Sequence, residues 1–304
     1  MKNKKLYPAL KLIRSTEMRH PEIFEMYDEG VKNRLSNKQS EFDVATLISR
    51  HFFPKAYQEK DANICALLLS VLGEWRKSKQ VYSFSKELIN MISDTEEFEV
   101  CGEIFEYLPY PCFYIEIPDS KLFHGMFIKY LKDAVNDALL FILLCNDGAF
   151  AHYAFDLTKT SNFYETIEKY AACFQNASHR EFLKKYMIFG FQASMYLCAK
   201  NSDVSENLTQ QKIYKPSNRI KNNFSEIRKW DVGFRIIKDI NASFHSHESM
   251  GTDGKIRNRP RQHWRKAHWH TYWVGKGRTK RELRFIAPIL VNDIEDELPI
   301  VAHT

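Results

Sequence analysis

Residues 257–292 of the chain read RNRPRQHWRKAHWHTYWVGKGRTKRELRFIAPILVN, and positive charge is concentrated in this part of the sequence. From Lys255 to Arg284 there are eleven of the 44 Lys and Arg residues but one of the 38 acidic residues. The remainder holds 33 basic and 37 acidic residues, so the net charge of +6 arises in one segment. This asymmetry predicts a polyanion or an acidic protein surface as the partner of the segment.

Alternating side chains predict that the same segment forms a β-hairpin, with strands over about 267–274 and 282–287. One face of the first strand holds Ala267, Trp269, Thr271 and Trp273, and the other holds His268, His270 and Tyr272. Gly275 and Gly277 supply turn residues, and Pro288 is expected at a strand end, an edge or a bulge. We expect the two Trp residues to anchor the hairpin on a core, with the Arg and Lys residues in water.

The whole sequence predicts an α+β fold with a helical N-terminal part, a central antiparallel sheet flanked by helices, and the basic Trp-rich hairpin. The expected division is a mainly helical part over 1–103, an antiparallel sheet plus helices over 104–200, a polar connecting segment with one strand over 201–254, and the hairpin over 255–304. These four parts are compatible with one compact domain.

Helical periodicity is clearest over 62–75, and Ser85 is expected to cap a short helix that ends near residue 92. Strands are predicted over 112–117, 126–131, 139–145 and 151–157, in an antiparallel meander. A helix over 122–145 is the competing interpretation. Further helices are expected from Thr160 or Ser161 to about 174 and over 180–199, followed by a polar linker over 201–223 and a strand or short helix over 232–240.

Several classes of protein are disfavoured. The apolar runs are far shorter than the about 20 residues of a membrane span, so we expect a cytoplasmic protein with no membrane partner. Six cysteines lie without CxxC spacing, which favours reduced core residues over disulfides or zinc ligands. Nucleotide-binding loops and common hydrolase and kinase motifs are absent, and no cofactor is expected.

The histidines of the hairpin allow three interpretations of its function. Its His, Tyr and Trp residues form a stacking and hydrogen-bonding surface, or His268, His270, Tyr272 and Arg265 catalyse metal-independent RNA cleavage. Alternatively, His245 and His247 join the hairpin histidines around a metal, although we expect no metal site. The candidate residues for contact with RNA or another partner are Arg257, Arg259, Arg261, His263, Trp264, Arg265, Lys266, His268, His270, Tyr272, Lys276, Arg278, Lys280 and Arg281.

The run RPRQHWRKAHWHTYWVGKG followed by LRFIAPILVN resembles the C-terminal signature of a protein family carried by phages, plasmids and other mobile elements. This family includes a type V-A anti-CRISPR protein that represses biogenesis of the CRISPR effector nuclease. LPYPCFYIEIP at 108–118 is also similar to a family block. The resemblance implies recognition of a nascent N-terminal peptide at the ribosome, followed by translation-dependent loss of the encoding mRNA.

Three hypotheses follow for the function of the chain. It is an anti-CRISPR-like factor whose partners are a nascent peptide and mRNA or the ribosome, a ribonuclease, or a nucleic-acid-binding regulator of its own mobile element. For the first hypothesis, we expect the hairpin to contact RNA and the edge of the strand over 112–117 to pair with an extended peptide.

Overall fold

The computed structural model describes residues 8–34, 36–37, 39–55, 62–117, 120, 123–132, 137–158, 162–173, 176–207, 227–236 and 263–291. At residues 62, 179, 263, 264 and 289–291 only the backbone is described. Helices and one large sheet confirm the predicted α+β class.

Helices dominate the N-terminal part: α1 is Pro8–Arg19, α2 is Ile23–Asn33, α3 is Glu41–Phe52 and α4 is Ala62–Ser78. Helix α3 begins in a capping box, in which Ser40 Oγ accepts from Asp43 N at 3.0 Å and the Asp43 carboxylate accepts from Ser40 N at 2.9 Å. Helix α5, Lys86–Ser93, begins as predicted, because Ser85 Oγ accepts the Leu88 N–H at 3.2 Å.

The predicted antiparallel meander is confirmed. Its strands are β2 (Cys112–Glu116), β3 (Phe123–Leu131), β4 (Ala138–Cys145) and β5 (Phe150–Asp156), each paired with the next. The competing helix over 122–145 is therefore wrong. Its apolar residues fit two periodicities, and burial of β3 and β4 on both faces explains why their apolar runs hardly alternate.

Three further strands extend this meander into a mixed sheet in the order β5-β4-β3-β2-β1-β7-β6. Strand β1, Gln80–Phe84, runs parallel to β2 and to β7, Arg228–Val232, while β6, Val204–Glu206, is antiparallel to β7. The prediction of a mainly helical part over 1–103 missed β1, which is buried on both faces and gives no alternating signal. A strand or short helix was predicted over 232–240: Val232 ends β7, residues 234–236 are helical, and residues 237–240 are outside the described part.

The strand over 112–117 has no free edge, so the expectation that it pairs with an extended peptide is wrong. Strand β2 is hydrogen-bonded to β1 on one side and to β3 on the other. A strand inside a sheet has no unpaired row of N–H and C=O groups to offer a peptide.

The sheet separates two apolar layers, because alternate residues of its central strands face opposite sides. Leu140, Ile142 and Leu144 of β4 join the core beneath α1–α4. Leu139, Phe141 and Leu143 face the other core, which includes helices α6 (Phe163–Ala172) and α7 (Ala177–Cys198).

Both helices of this second layer were predicted, although the cap of α6 differs. Asn162 caps it through Oδ1, which accepts from Glu165 N at 3.0 Å, whereas Thr160 and Ser161 lie outside the described residues. Helix α7 is buried along its C-terminal half, as its apolar composition predicts.

A buried ammonium ties the N-terminal helices to the sheet. Lys129 of β3 is 1% exposed; it forms an ion pair with Glu41 of α3 and donates to Ser70 O and Ser70 Oγ of α4 at 2.9 Å each. The Tyr27 hydroxyl of α2 also donates to the Glu41 carboxylate. One polar network therefore joins three helices to the central sheet.

The C-terminal part forms two strand pairs. Strands β9 (His268–Val274) and β10 (Lys280–Ile286) make the predicted hairpin, and β8 (His263–Arg265) pairs with β11 (Ile289–Val291). Pro288 lies between β10 and β11, at a strand end as expected. None of the six cysteines, all of which are described, forms a disulfide. Within the described ranges no helix has the length and apolar composition to cross a membrane.

Candidate nucleic-acid interface

The base of the hairpin is held on the core by one face of its two strands. Trp269 lies opposite Phe285, and both are buried together with Leu283. The Trp269 and Phe285 ring centroids are 5.0 Å apart, and Phe285 also contacts Tyr196 of α7 at 5.4 Å. Burial of these rings fixes the hairpin to the second apolar layer.

Asn201, three residues after the end of α7, binds the backbone of the same strand. Its Nδ2 donates to Phe285 O at 2.7 Å, and its Oδ1 accepts from Phe285 N at 3.1 Å. The Lys200 N–H donates to Leu283 O at 2.9 Å. The side-chain amide therefore makes the two hydrogen bonds to Phe285 that the backbone of a neighbouring β-strand would make. The sequence prediction missed this role because it placed Asn201 in a polar linker.

Beyond this base the hairpin is exposed on both faces. Trp273 is 52% exposed although it shares a face with the buried Trp269, and Tyr272 on the other face is 39% exposed. Only Trp269 therefore acts as the anchor that the sequence predicted for both Trp residues. Strand alternation assigns a face to Trp273 but does not reveal that the supporting core ends before it.

The exposed aromatic rings are stacked with guanidinium groups. Arg281 lies over Trp273 at 4.8 Å from the ring centroid, and Arg284 lies over Tyr272 at 5.2 Å. The His270 and Tyr272 centroids are 4.2 Å apart. Such pairs hold both cations near the ring faces on which a base would stack.

Arg284 was absent from the predicted contact residues, and its main partner is internal. Its Nη2 lies 2.7 Å from Glu282 Oε1. The register places Arg284 opposite His270, so the alternation that grouped the histidines also identifies it once the second strand is aligned with the first.

The turn is built from backbone conformations that favour glycine. Gly275 and Gly277 have φ of 84° and 79°, and Arg278 has φ of 52° with its N–H donating to Gly275 O at 3.0 Å. Lys276, Arg278 and Lys280 are all exposed around this turn. The hairpin thus ends in a tight, strongly basic tip.

The described basic residues of the hairpin are largely free of internal acids. Arg265, Lys266, Lys276, Arg278, Lys280 and Arg281 are exposed. Within the described part of the chain, Arg284 alone among the basic residues from 265 to 284 forms an ion pair. These charges therefore remain available to an anionic partner.

The structure brings only part of the predicted site together. His268 and His270 share the outer face, but a His268 ring nitrogen lies 3.2 Å from Lys266 O at the base, while His270 stacks on Tyr272. Backbone alone is described for His263 and Trp264. Arg257, Arg259, Arg261, His245 and His247 lie outside the described residues, within which no three His, Cys, Asp or Glu side chains converge as metal ligands.

Comparisons with known proteins concern the family and the fold of the chain. The family model described as "AcrVA2-like: Anti-CRISPR type V subtype A2 family" matches residues 82–293, a range that includes the hairpin and all the strands from β2 to β10. A solved structure titled "Crystal structure of AcrVA2" is similar in fold, with a TM-score of 0.62 at 15% identity, over 95% of this chain and all of the other. No curated protein matches the chain.

Proposed function

Because the chain belongs to the AcrVA2-like family of type V-A anti-CRISPR proteins, we propose that it represses production of a CRISPR effector during translation. It recognises the N-terminal peptide of the effector as the peptide leaves the ribosome. The basic hairpin holds the mRNA or ribosomal RNA nearby, and the encoding mRNA is lost. This activity suits a counter-defence protein of a phage or plasmid.

The projecting hairpin carries this proposal. Its tip presents Lys276, Arg278 and Lys280 beside the stacked Trp273–Arg281 pair, without acids bound to these cations within the described residues. Cations that neutralise phosphates, combined with aromatic faces that accept bases, are the recurrent elements of single-stranded RNA binding. An acidic protein surface would satisfy the charges but gives no role to the exposed rings.

A charge-reversal variant of the tip tests RNA contact. Lys276→Glu/Arg278→Glu/Lys280→Glu is expected to weaken binding to a fluorescein-labelled single-stranded RNA of mixed sequence. If all three cations contact phosphates, the slope of log K against log salt falls by about 2, at about 0.7 per contact. The matched control is Lys11→Glu/Arg19→Glu/Lys32→Glu, which makes the same charge change at exposed positions of α1 and α2. Equal affinity and slope in both variants would contradict RNA contact by the hairpin.

Loss of mRNA is measured in cells with a reporter that begins with the N-terminal codons of a type V-A effector. We expect the reporter mRNA to fall when this protein is co-expressed, and to remain when the reporter start codon is removed. A decrease that persists without translation would reject peptide recognition, and an unchanged level of the translated reporter would reject the whole proposal.

A ribonuclease is the second candidate, because His270, Tyr272 and Arg284 cluster on the exposed outer face. Histidine exchanges protons near neutral pH, and a guanidinium stabilises phosphate charge. Incubation of the pure protein with RNA distinguishes the candidates. Cleavage that is lost in His268→Ala/His270→Ala would support the ribonuclease, whereas intact RNA would exclude it.

A further inference from the structure

Beyond its base, the hairpin presents two faces of different chemistry. The register places Trp273 opposite Arg281 on one face and Tyr272 opposite Glu282 on the other. The first is the inner face, because it continues the face of the buried Trp269, and the second is the outer face. Each face carries one exposed aromatic ring, so the neighbours of the two rings decide which ring is open to a ligand.

The outer face is occupied by contacts among its own side chains. His270 and Arg284 lie opposite each other, and both contact Tyr272: the His270 ring centroid is 4.2 Å from the Tyr272 centroid, and the guanidinium carbon of Arg284 is 5.2 Å from it. Glu282 fixes the guanidinium in turn, because its Oε1 accepts from Arg284 Nε at 2.8 Å and lies 2.7 Å from Arg284 Nη2. A carboxylate therefore balances the charge of this cation.

On the inner face, Trp273 has small neighbours along its own strand. Residues two apart share a face of a strand, and these residues are Thr271 and Gly275. A Cβ atom built on Gly275 would meet no described atom within 4 Å beyond its chain neighbours. The indole, which is 52% exposed, is therefore open to solvent on the side of the tip.

Arg281 completes the inner face with a cation that no acid neutralises. Its guanidinium carbon lies 4.8 Å from the Trp273 ring centroid, and within the described part of the chain it forms no ion pair. A guanidinium on one face of an indole leaves the opposite face for a base, and its charge can bind the adjoining phosphate. In a duplex both faces of a base are already stacked, so only an unpaired base can use such a site.

We propose that Trp273 and Arg281 form a subsite for one unpaired nucleotide, with the base on the open face of the indole and the phosphate on the guanidinium. This inference rests on the RNA contact proposed above. Glu282 holds Arg284 on Tyr272 and keeps it from RNA, so the outer face contributes no phosphate contact. The hairpin therefore selects single-stranded RNA over duplex RNA, and binds it along the inner face and the tip.

Replacement of the indole tests the subsite. Fluorescence anisotropy measures binding of a labelled single-stranded RNA and of the same strand annealed to its complement. Trp273→Ala is expected to weaken binding of the single strand about tenfold, which corresponds to about 1.4 kcal/mol of lost stacking, and to leave duplex binding unchanged. Trp273→Phe keeps an aromatic face and should retain most of the preference. Tyr272→Ala, which removes the exposed ring of the outer face, is the matched control and should have little effect.

A second variant tests whether Glu282 keeps Arg284 from RNA. Glu282→Gln releases the guanidinium, so the protein is expected to bind the single strand more tightly, and the slope of log K against log salt should steepen by about 0.7. Glu25→Gln on α2 makes the same charge change at an exposed position and should leave the slope unchanged.

The outcomes separate this inference from the RNA contact on which it rests. Equal weakening by Trp273→Ala and Tyr272→Ala would overturn the subsite, while RNA contact by the tip cations would stand. An unchanged slope in Glu282→Gln would overturn the role of Glu282. If the wild-type protein binds neither RNA, both the subsite and the proposed RNA contact are overturned.

Discussion

Lys129 is a residue whose charge the fold can hold only because partners surround it. Its ammonium meets the Glu41 carboxylate and two oxygens of Ser70, at the junction of helices α3 and α4 with strand β3. Taking an ammonium out of water costs several kcal/mol unless such partners replace the water. The junction between helices and sheet therefore depends on complete pairing.

Lys129→Met is expected to lower the free energy of unfolding by about 3 kcal/mol, because it leaves Glu41 without its cation. Urea denaturation followed by circular dichroism measures this change. Lys132→Met is the control, since Lys132 is 62% exposed and pairs with Glu106 on the surface at 2.7 Å. The control should cost much less, because both partners of this exposed pair remain hydrated. Equal losses of unfolding free energy in the two variants would show that the buried ion pair stabilises the protein no more than the exposed one.

Among the elements, the hairpin is attached by a small number of contacts. The buried rings of Trp269 and Phe285 fix one face, and Asn201 holds the β10 backbone by two hydrogen bonds. An element held in this way can open locally without unfolding of the sheet.

Asn201→Asp keeps the acceptor for Phe285 N but removes the donor to Phe285 O. We expect faster hydrogen exchange of the Phe285 amide, with a loss of global stability of about 1 kcal/mol. Exchange followed by mass spectrometry of the peptides that contain β10 measures the opening. Unchanged protection of β10, with β4 as the internal reference, would mean that the rings alone hold the hairpin.

The sequence predicted elements whose signals are local. The hairpin follows from alternation and the glycines at 275 and 277, and Ser85 marks the start of α5 through its own side chain. Strand β1 was missed because its five residues lie directly between two helices and are buried on both faces. Its parallel pairing with β7 joins segments far apart in the chain, and no short pattern records that contact.

The site was predicted in the same uneven way. Exposure of the tip cations follows from composition, since charged residues of a turn normally remain in water. The role of Asn201 was not found, because its amide is an ordinary linker side chain until the fold brings Phe285 beside it. Separation in sequence hides any site that is made by tertiary contact.

At the scale of the whole molecule, acid stability depends on the same buried pair. Burial by itself would raise the pKa of Glu41, but the charge of Lys129 and hydrogen bonds from Lys129, Tyr27 and Ser70 outweigh it and hold the pKa below its ordinary value of 4.5. A carboxyl group with a lowered folded-state pKa stabilises the protein above its unfolded-state pKa. This contribution disappears as pH falls through the folded-state value.

We therefore expect thermal unfolding to occur at lower temperature below pH 4.5 than at pH 7, and Glu41→Gln to reduce this dependence. Glu165→Gln is a suitable control, because Glu165 pairs with Lys169 on an exposed face of α6. Melting temperatures across the pH range measure the effect. A pH profile that is the same in Glu41→Gln and the wild-type protein would contradict the assignment.

Strand β1 has a consequence for the biosynthesis of the protein itself. It lies between β2 and β7, and the Ser85 hydroxyl beside it donates to Gly233 O across 148 positions of sequence. During synthesis β1 leaves the ribosome well before β7. The edge of β1 that pairs with β7 therefore stays unpaired while the residues between the two strands are made. A fragment that ends before Arg228 lacks β7, so the edge of β1 stays unpaired, and such fragments are expected to aggregate.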